Sequence, residues 1–176
     1  RGLGDVYKRQ DIMKRKLGIC EWSLPVSGAT AIEIAAEAGF EGMQIGEAGG
    51  RLAAFPLNNQ KVQESYNQVA LKYGIQLHSL NLGALLSEGT LNYPPDSSCG
   101  RHAIESLTKG FEACEKMNIR TVVITADPRN EEQLKNSAAH LRLASRMAEE
   151  AGIEIAVESA IPIEEIYKPV SYTHLR

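Results

Sequence analysis

Ala151-Gly152-Ile153-Glu154-Ile155-Ala156-Val157-Glu158-Ser159-Ala160 is the stretch on which the fold turns. Gly152 stops a preceding helix, and Ile153 to Val157 predict a short strand with the carboxylate of Glu158 at its end. Ile153, Ile155 and Val157 share one face, while Glu154, Ala156 and Glu158 share the other. A strand covered on both sides can show branched residues to packing helices and small or polar ones to a barrel interior. The C-terminal end of such a strand is where parallel α/β enzymes carry their chemistry. Against this stands the plainer reading of a solvated loop glutamate.

Upstream, the same unit recurs: apolar strand, polar loop, amphipathic helix, then Gly or Asn into the next strand. Strands are predicted over Leu17–Leu24, Met43–Glu47, Ile75–Leu82 and Arg120–Ala126. Helices are predicted over Thr30–Ala38, from Asn58 or Asn59 to about Tyr73, over Arg101–Met117, and from about Asn130 to Ala151. Thr30 or Ser27 is the expected cap of the first. The strand starts Leu17, Met43, Ile75, Thr121 and Ile153 lie 26, 32, 46 and 32 residues apart. Such spacing suits a parallel sheet with right-handed crossovers. Four junctions look alike: Ala38-Gly39-Phe40, Tyr73-Gly74-Ile75, Met117-Asn118-Ile119 and Ala151-Gly152-Ile153. No G-x-G-x-x-G or P-loop follows the first strand, which disfavours a nucleotide-binding doubly wound sheet. The fold expected is α/β, a partial (β/α)8 TIM barrel with five parallel strands of eight, truncated after strand five. The long loop Gly83–Gly100 is of a length unusual for a loop without function or disorder.

The 176 residues include 19 Lys and Arg against 22 Asp and Glu, a formal net charge of −3. That balance offers no nucleic-acid footprint and no attraction to anionic membrane. No apolar run approaches the ~20 residues of a membrane span, and no secretory signal pattern is present. Cys20, Cys99 and Cys114 are widely spaced and form no C-x-x-C, which favours a reducing compartment; the cytoplasm is expected. Cys20 reads as core. The two ends break the pattern: residues 1–12 are expected to be a non-native or disordered leader and 169–176 a non-native tail, like translated adapter sequence, flanking an incomplete barrel domain over 13–168.

Polar groups mark each strand end: Glu21, Glu47, His78 with Asn81, Thr125 with Asp127, and Glu158. Convergence on one mouth is what a barrel would make of them. Alternatives stay open at each. His78 alone is more often a surface or satisfied histidine, and Asp127 before Pro128 is first a turn residue. Gly49-Gly50-Arg51 suits either a phosphate or a plain turn. Strand parity does not say whether Glu21 or Trp22 faces inward.

Gly18-Ile19-Cys20-Glu21-Trp22-Ser23-Leu24-Pro25, G-F-E-G-M-Q-I-G, G-I-Q-L-H-S-L-N-L, N-I-R-T-V-V-I-T-A and G-I-E-I-A-V-E-S together resemble the xylose-isomerase-like barrel superfamily of sugar isomerases and epimerases. The likeness runs from about Lys16 to Glu158 and is nearest to the L-ribulose/L-xylulose 5-phosphate 3-epimerases. These have a similar G-I-x-E-x-x-L-P and an R-L pair like Arg51-Leu52. Gly83 stands where that branch tends to place a histidine. By this resemblance Glu158 is a metal ligand and the catalytic carboxylate. Glu21, Glu47, Arg51, His78 and Asn81 are expected at the substrate, with the remaining metal ligands on strands six to eight. The implied activity is proton transfer α to a carbonyl through an enediolate, assisted by Mn²⁺, Mg²⁺ or Co²⁺, with Zn²⁺ an alternative. The implied partner is a small sugar or sugar phosphate, not nucleic acid or membrane; a homo-oligomer at full length stays open. With one of its ligands only, the chain by itself is expected to be inactive. The competing readings are another enzyme on the same barrel, such as an inosose dehydratase or an endonuclease-IV-like repair enzyme, and a non-catalytic sugar-binding barrel. The nuclease would need several ligating histidines and a basic face, which an acidic balance argues against.

Overall fold

The four junctions that look alike in sequence are alike in backbone. In a computed structural model, which describes residues 16–46, 56–83 and 89–161, Gly39, Gly74, Asn118 and Gly152 all take left-handed φ values, from 56° to 86°. One residue on, the N–H of Phe40, Ile75, Ile119 and Ile153 donates to Ala35, Ala70, Cys114 and Ala148 carbonyls at 2.9–3.0 Å. This is the Schellman closure, completed by an apolar residue just past the left-handed one. Each helix therefore stops at the same place relative to the strand it feeds.

The strands are β1 (Gly18–Cys20), β2 (Gly42–Gly46), β3 (Gln76–Asn81), β4 (Thr121–Thr125) and β5 (Glu154–Glu158). The helices are α1 (Ala29–Glu37), α2 (Gln60–Tyr73), α3 (Ser98–Met117) and α4 (Glu131–Ala151). All pairings are parallel in the order β1-β2-β3-β4-β5. Helices α1 to α4 pack each against the next in series. The expected five-stranded part of a barrel is what forms.

Side-chain alternation builds the core. Met43, Ile45, Leu80, Val122 and Ile124 are fully buried and join Ile32, Ala35, Leu107 and Ala144 of the helices in one cluster. Ile153 and Ile155 pack against that cluster, as the parity of β5 requires, while Val157 at the sheet's edge keeps 40% of its surface exposed. Cys114 lies in the core, and burial pushes its thiol up to about 12. Cys20 does not: it sits on the other face of β1, half-buried, so the core reading of Cys20 is corrected.

Of the boundaries that differ from the sequence reading, three have a local cause. β1 ends at Cys20 because Glu21–Ser23 coil into a 3-10 turn. α1 is capped by Gly28 rather than Ser27 or Thr30, with no side-chain bond from the cap. α3 starts at Ser98, three residues before Arg101, because Ser97 Oγ accepts from Gly100 N at 3.0 Å. Gly100 has a further role there. A Cβ on it would lie 2.0 Å from Pro94 O, a backbone atom that cannot swing aside. Gly100→Ala is expected to cost about 3 kcal/mol, the upper end for overpacking, read as a lower urea midpoint; an unchanged midpoint would show that the turn at Pro94 yields.

The described part of the long loop is stitched to α4. Asn136 Nδ2 donates to Asn92 O at 3.0 Å, and Ser137 Oγ lies 3.2 Å from Leu91 O and from Asn92 Oδ1. His140, with no exposed surface, places Nε2 3.0 Å from Tyr93 O. A carbonyl only accepts, so Nε2 carries the proton, and Nδ1 has no partner among the described residues. Protonating Nδ1 would bury a charged N–H with no acceptor. Burial accordingly holds His140 below its ordinary value of 6.5, the bond to Tyr93 opposing in part. For a histidine depressed in the fold, the unfolded chain binds the extra proton first. Stability is thus full above pH 6.5 and falls as pH drops from there toward the folded value. We expect the thermal midpoint to decline over that window, with the His140 ring titrating below 6.5 by NMR; titration above 6.5 would contradict the assignment.

Among the described residues no helix is long and apolar enough to cross a membrane. The leader over 1–12 and the tail over 169–176 lie outside the described residues.

Candidate active site

With branched side chains turned to the helices, the concave face of the sheet takes what alternates with them. The register lines up Cys20, Gln44, Ser79, Thr121 and Glu154 in one row. Gly46, Asn81, Val123 and Ala156 form the next row, and Thr125 and Glu158 stand beyond it at the C-terminal rim. Cys20 Sγ donates to Gln44 Oε1 at 3.3 Å within the first row.

Glu158 occupies the position its parity predicts. It is exposed, and it is the cross-strand partner of Thr125. Thr125 Oγ1 donates to Glu158 Oε2 at 3.4 Å, and Ala126 N donates to the Glu158 carbonyl at 2.9 Å. Its charge reaches across the concave face: the Cys20 thiol is raised first by burial and then by the negative charge of Glu158.

Glu21 is turned the other way. Only 3% of it is exposed, against 55% for Trp22, which resolves the parity left open by the sequence. Glu21 Oε1 accepts from Gly28 N at 2.6 Å and from Tyr66 Oη at 2.7 Å, and Oε2 accepts from Gly46 N at 2.9 Å. One carboxylate thus ties the end of β1 to the start of α1, the end of β2 and the middle of α2. It supplies the acceptor that the α1 cap lacks. Burial, and then the bond to Glu21 and its charge, hold the Tyr66 hydroxyl well above its ordinary range.

His78 and Asn81 separate from one another. The β2–β3 register slips between Met43 and Gln44, so His78 is the extra residue of a bulge. Its ring lies across the glycines at the starts of β1 and β2. A Cβ on Gly18 would be 3.1 Å from His78 Nε2, and one on Gly42 3.1 Å from Cδ2. Ser79 Oγ is 2.8 Å from His78 Nδ1, and burial lowers the imidazole below its usual value. The structure does not bring His78 to Glu158, since Gly18 and Gly42 lie at the opposite end of their strands from the rim. Asn81, half-buried, sits at the C-terminal end of β3 between Gly46 and Val123. Glu47 and Arg51 lie outside the described residues.

Among the described residues no group of three or more His, Cys, Asp or Glu could hold a metal ion. Glu158 offers one carboxylate oxygen, Oε1, with no partner among the described residues. That is one ligand for a hard cation and not a site. Sequence reasoning missed Gln44 and Tyr66. The polar Gln44 inside the apolar G-M-Q-I-G strand was a readable signal of a second, polar face. Nothing local marks Tyr66 as the partner of a carboxylate 45 positions away.

A family model described as xylose isomerase-like TIM barrel matches residues 32–162, more than half of the chain. A search of curated proteins finds no match. Among solved structures, D-allulose 3-epimerase from Methylomonas sp. is 18% identical with a TM-score of 0.69, over 90% of this chain and 59% of that one. The IolI protein with a bound zinc atom is 19% identical with a TM-score of 0.63, over the same shares. A xylose isomerase-like TIM barrel protein from Mycobacterium smegmatis, in complex with magnesium, is 12% identical with a TM-score of 0.66, over 92% and 62%. At such identities the likeness establishes the fold. The chain spans between 25% and 62% of the length of these and other solved chains that it matches, as a part of a barrel would. Nothing in these matches singles out the L-ribulose/L-xylulose 5-phosphate branch.

Proposed function

The chain belongs to the xylose isomerase-like TIM barrel family, and from that premise we propose that the protein interconverts ketoses or ketose phosphates as an isomerase or epimerase. The observation that carries this reading is Glu158. An exposed carboxylate, with one oxygen unengaged among the described residues, stands at the C-terminal end of β5 and faces the concave side of a parallel sheet. That end of a barrel strand is where catalytic groups of this fold are built.

Moving a stereocentre next to a carbonyl requires removing a proton from carbon and returning it. A carboxylate within reach of that carbon takes the proton and gives it back to the enediolate. Glu158 is the group assigned to this step, acting through Oε1. Its backbone is held by Ala126, so the carboxylate keeps its height above the sheet. Asn81, at the C-terminal end of β3 two strands away, offers both an amide donor and an acceptor to the sugar oxygens. Glu47 and Arg51 are proposed at the same rim on sequence position alone; His78, at the opposite end of the strands, and Glu21, held by Gly28, Gly46 and Tyr66, take no part in this step.

The cofactor in this reading is a divalent cation, Mn²⁺, Mg²⁺ or Co²⁺ with Zn²⁺ an alternative, and Glu158 would be one of its ligands through a lone pair of Oε2 that Thr125 leaves free, Oε1 being kept for the proton. The relatives crystallised with zinc and magnesium support a cation. When bound, it would polarise the carbonyl and hydroxyl oxygens of the sugar. The remaining ligands are placed by the family resemblance on strands six to eight, and the 176-residue chain alone is expected to show no turnover. The substrate is a small sugar, the compartment the cytoplasm, and a homo-oligomer of the full-length protein fits this reading. The test is hydrogen exchange at carbon. The full-length protein carrying this chain, incubated in D₂O with D-allulose or with L-ribulose 5-phosphate, should place deuterium next to the carbonyl. A ketose recovered without label after complete metal loading would end the proposal.

A further inference from the structure

We propose that Thr125 is a positioning residue for Glu158, an inference that rests on the reading of Glu158 as the proton-transferring carboxylate. Two adjacent residues, Thr125 at the end of β4 and Ala126 just past it, hold one residue on β5. Ala126 N–H fixes the Glu158 main chain at 2.9 Å, and the Thr125 hydroxyl takes Oε2 at 3.4 Å. They are direct cross-strand partners, so the contact needs no loop to form it. A glutamate on the concave face of an open sheet otherwise has three free torsions and no packing to choose among them.

Threonine supplies the choice. Its branched Cβ fixes the hydroxyl's direction on a strand, and the hydroxyl can donate to only one carboxylate oxygen at a time. Engaging Oε2 leaves Oε1 as the oxygen turned to the reacting carbon, so the contact biases Glu158 toward one rotamer. The length of the contact is in keeping with catalytic hydrogen bonds that tighten only once substrate is bound. Thr125 touches no reacting atom in this scheme and acts through Glu158 alone.

The test uses Thr125→Val and Thr125→Ser in the full-length protein, with ketose exchange in D₂O as the assay. Valine keeps the branched shape and strand preference but lacks the donor; serine keeps the donor. Thr125→Val should lower kcat by about tenfold, as loss of a group that orients a catalytic ligand does, with KM little changed and the thermal midpoint held. Thr125→Ser should restore most of kcat. A crystal structure of Thr125→Val should show Glu158 in more than one rotamer. Combined with Glu158→Gln, Thr125→Val should add no further loss, because both changes strike the same group. Wild-type kcat in Thr125→Val, failure of serine to rescue, or additive losses in the double variant would each overturn the positioning role. Turnover surviving in Glu158→Gln alone would instead overturn the reading of Glu158, and this inference with it.

Discussion

Glu158→Gln in the full-length protein should lower ketose turnover by about 10²–10⁴-fold, the range a positioned acid–base group supplies. The amide has nearly the size of the carboxylate and can still accept from Thr125 Oγ1. What it loses is the charge and basicity at Oε1. Glu158 is exposed and lies on the face of β5 opposite Ile155, which packs against the buried cluster. The thermal midpoint should therefore stay where it is, and metal affinity should drop. Deuterium exchange, calorimetric metal titration and a melting curve separate these effects. Near wild-type exchange by this variant would remove Glu158 from the mechanism.

The second large effect is on stability. Glu21→Ala should destabilise the fold by about 3 kcal/mol or more, at roughly 1–3 kcal/mol for each buried donor left without its acceptor. Three donors converge on this carboxylate from Gly28, Gly46 and Tyr66. With alanine all three lose their acceptor, and the two backbone N–H groups cannot turn elsewhere. Glu21→Gln is milder but not neutral. Its single carbonyl oxygen can serve Gly28 and Tyr66, while its NH₂ then meets the Gly46 N–H, donor against donor. The order expected in urea midpoints is wild type above Glu21→Gln above Glu21→Ala. Gln and Ala variants as stable as wild type would mean that Glu21 is free for substrate instead. The two glutamates would then have been assigned the wrong way round.

These two residues show what kind of information each level holds. As sequence, Glu21 and Glu158 are alike: each is a carboxylate at the end of an apolar run, and the family resemblance assigns both to the mouth. The fold divides them. β5 continues in register to Glu158, so its alternation with Ile155 and Val157 carries the side chain to the concave face. β1 breaks after Cys20, and the 3-10 turn rotates Glu21 off the strand's alternation into contact with α2. Parity arguments hold only while the strand does. His78 makes the same point, since a single bulge at Met43/Gln44 is enough to cancel any count of alternate positions along β3.

What the sequence alone determined is what rests on neighbours in the chain. Left-handed closures at Gly39, Gly74, Asn118 and Gly152, the caps at Asn59 and Asn130, and the period of apolar residues are set within a few positions. Their repetition is sufficient to specify parallel βα units and a sheet in sequential order, and Glu158 at the end of β5 follows from them. What only the tertiary structure decided is which polar groups satisfy one another across long separations. The carboxylate of Glu21 finds Tyr66, His140 finds the carbonyl of Tyr93, and Thr125 finds Glu158. The physical reason is that a hydrogen bond needs its partner at about 3 Å. Between residues 33 to 47 positions apart, that distance is a property of how the helices and strands pack, and no local pattern encodes it.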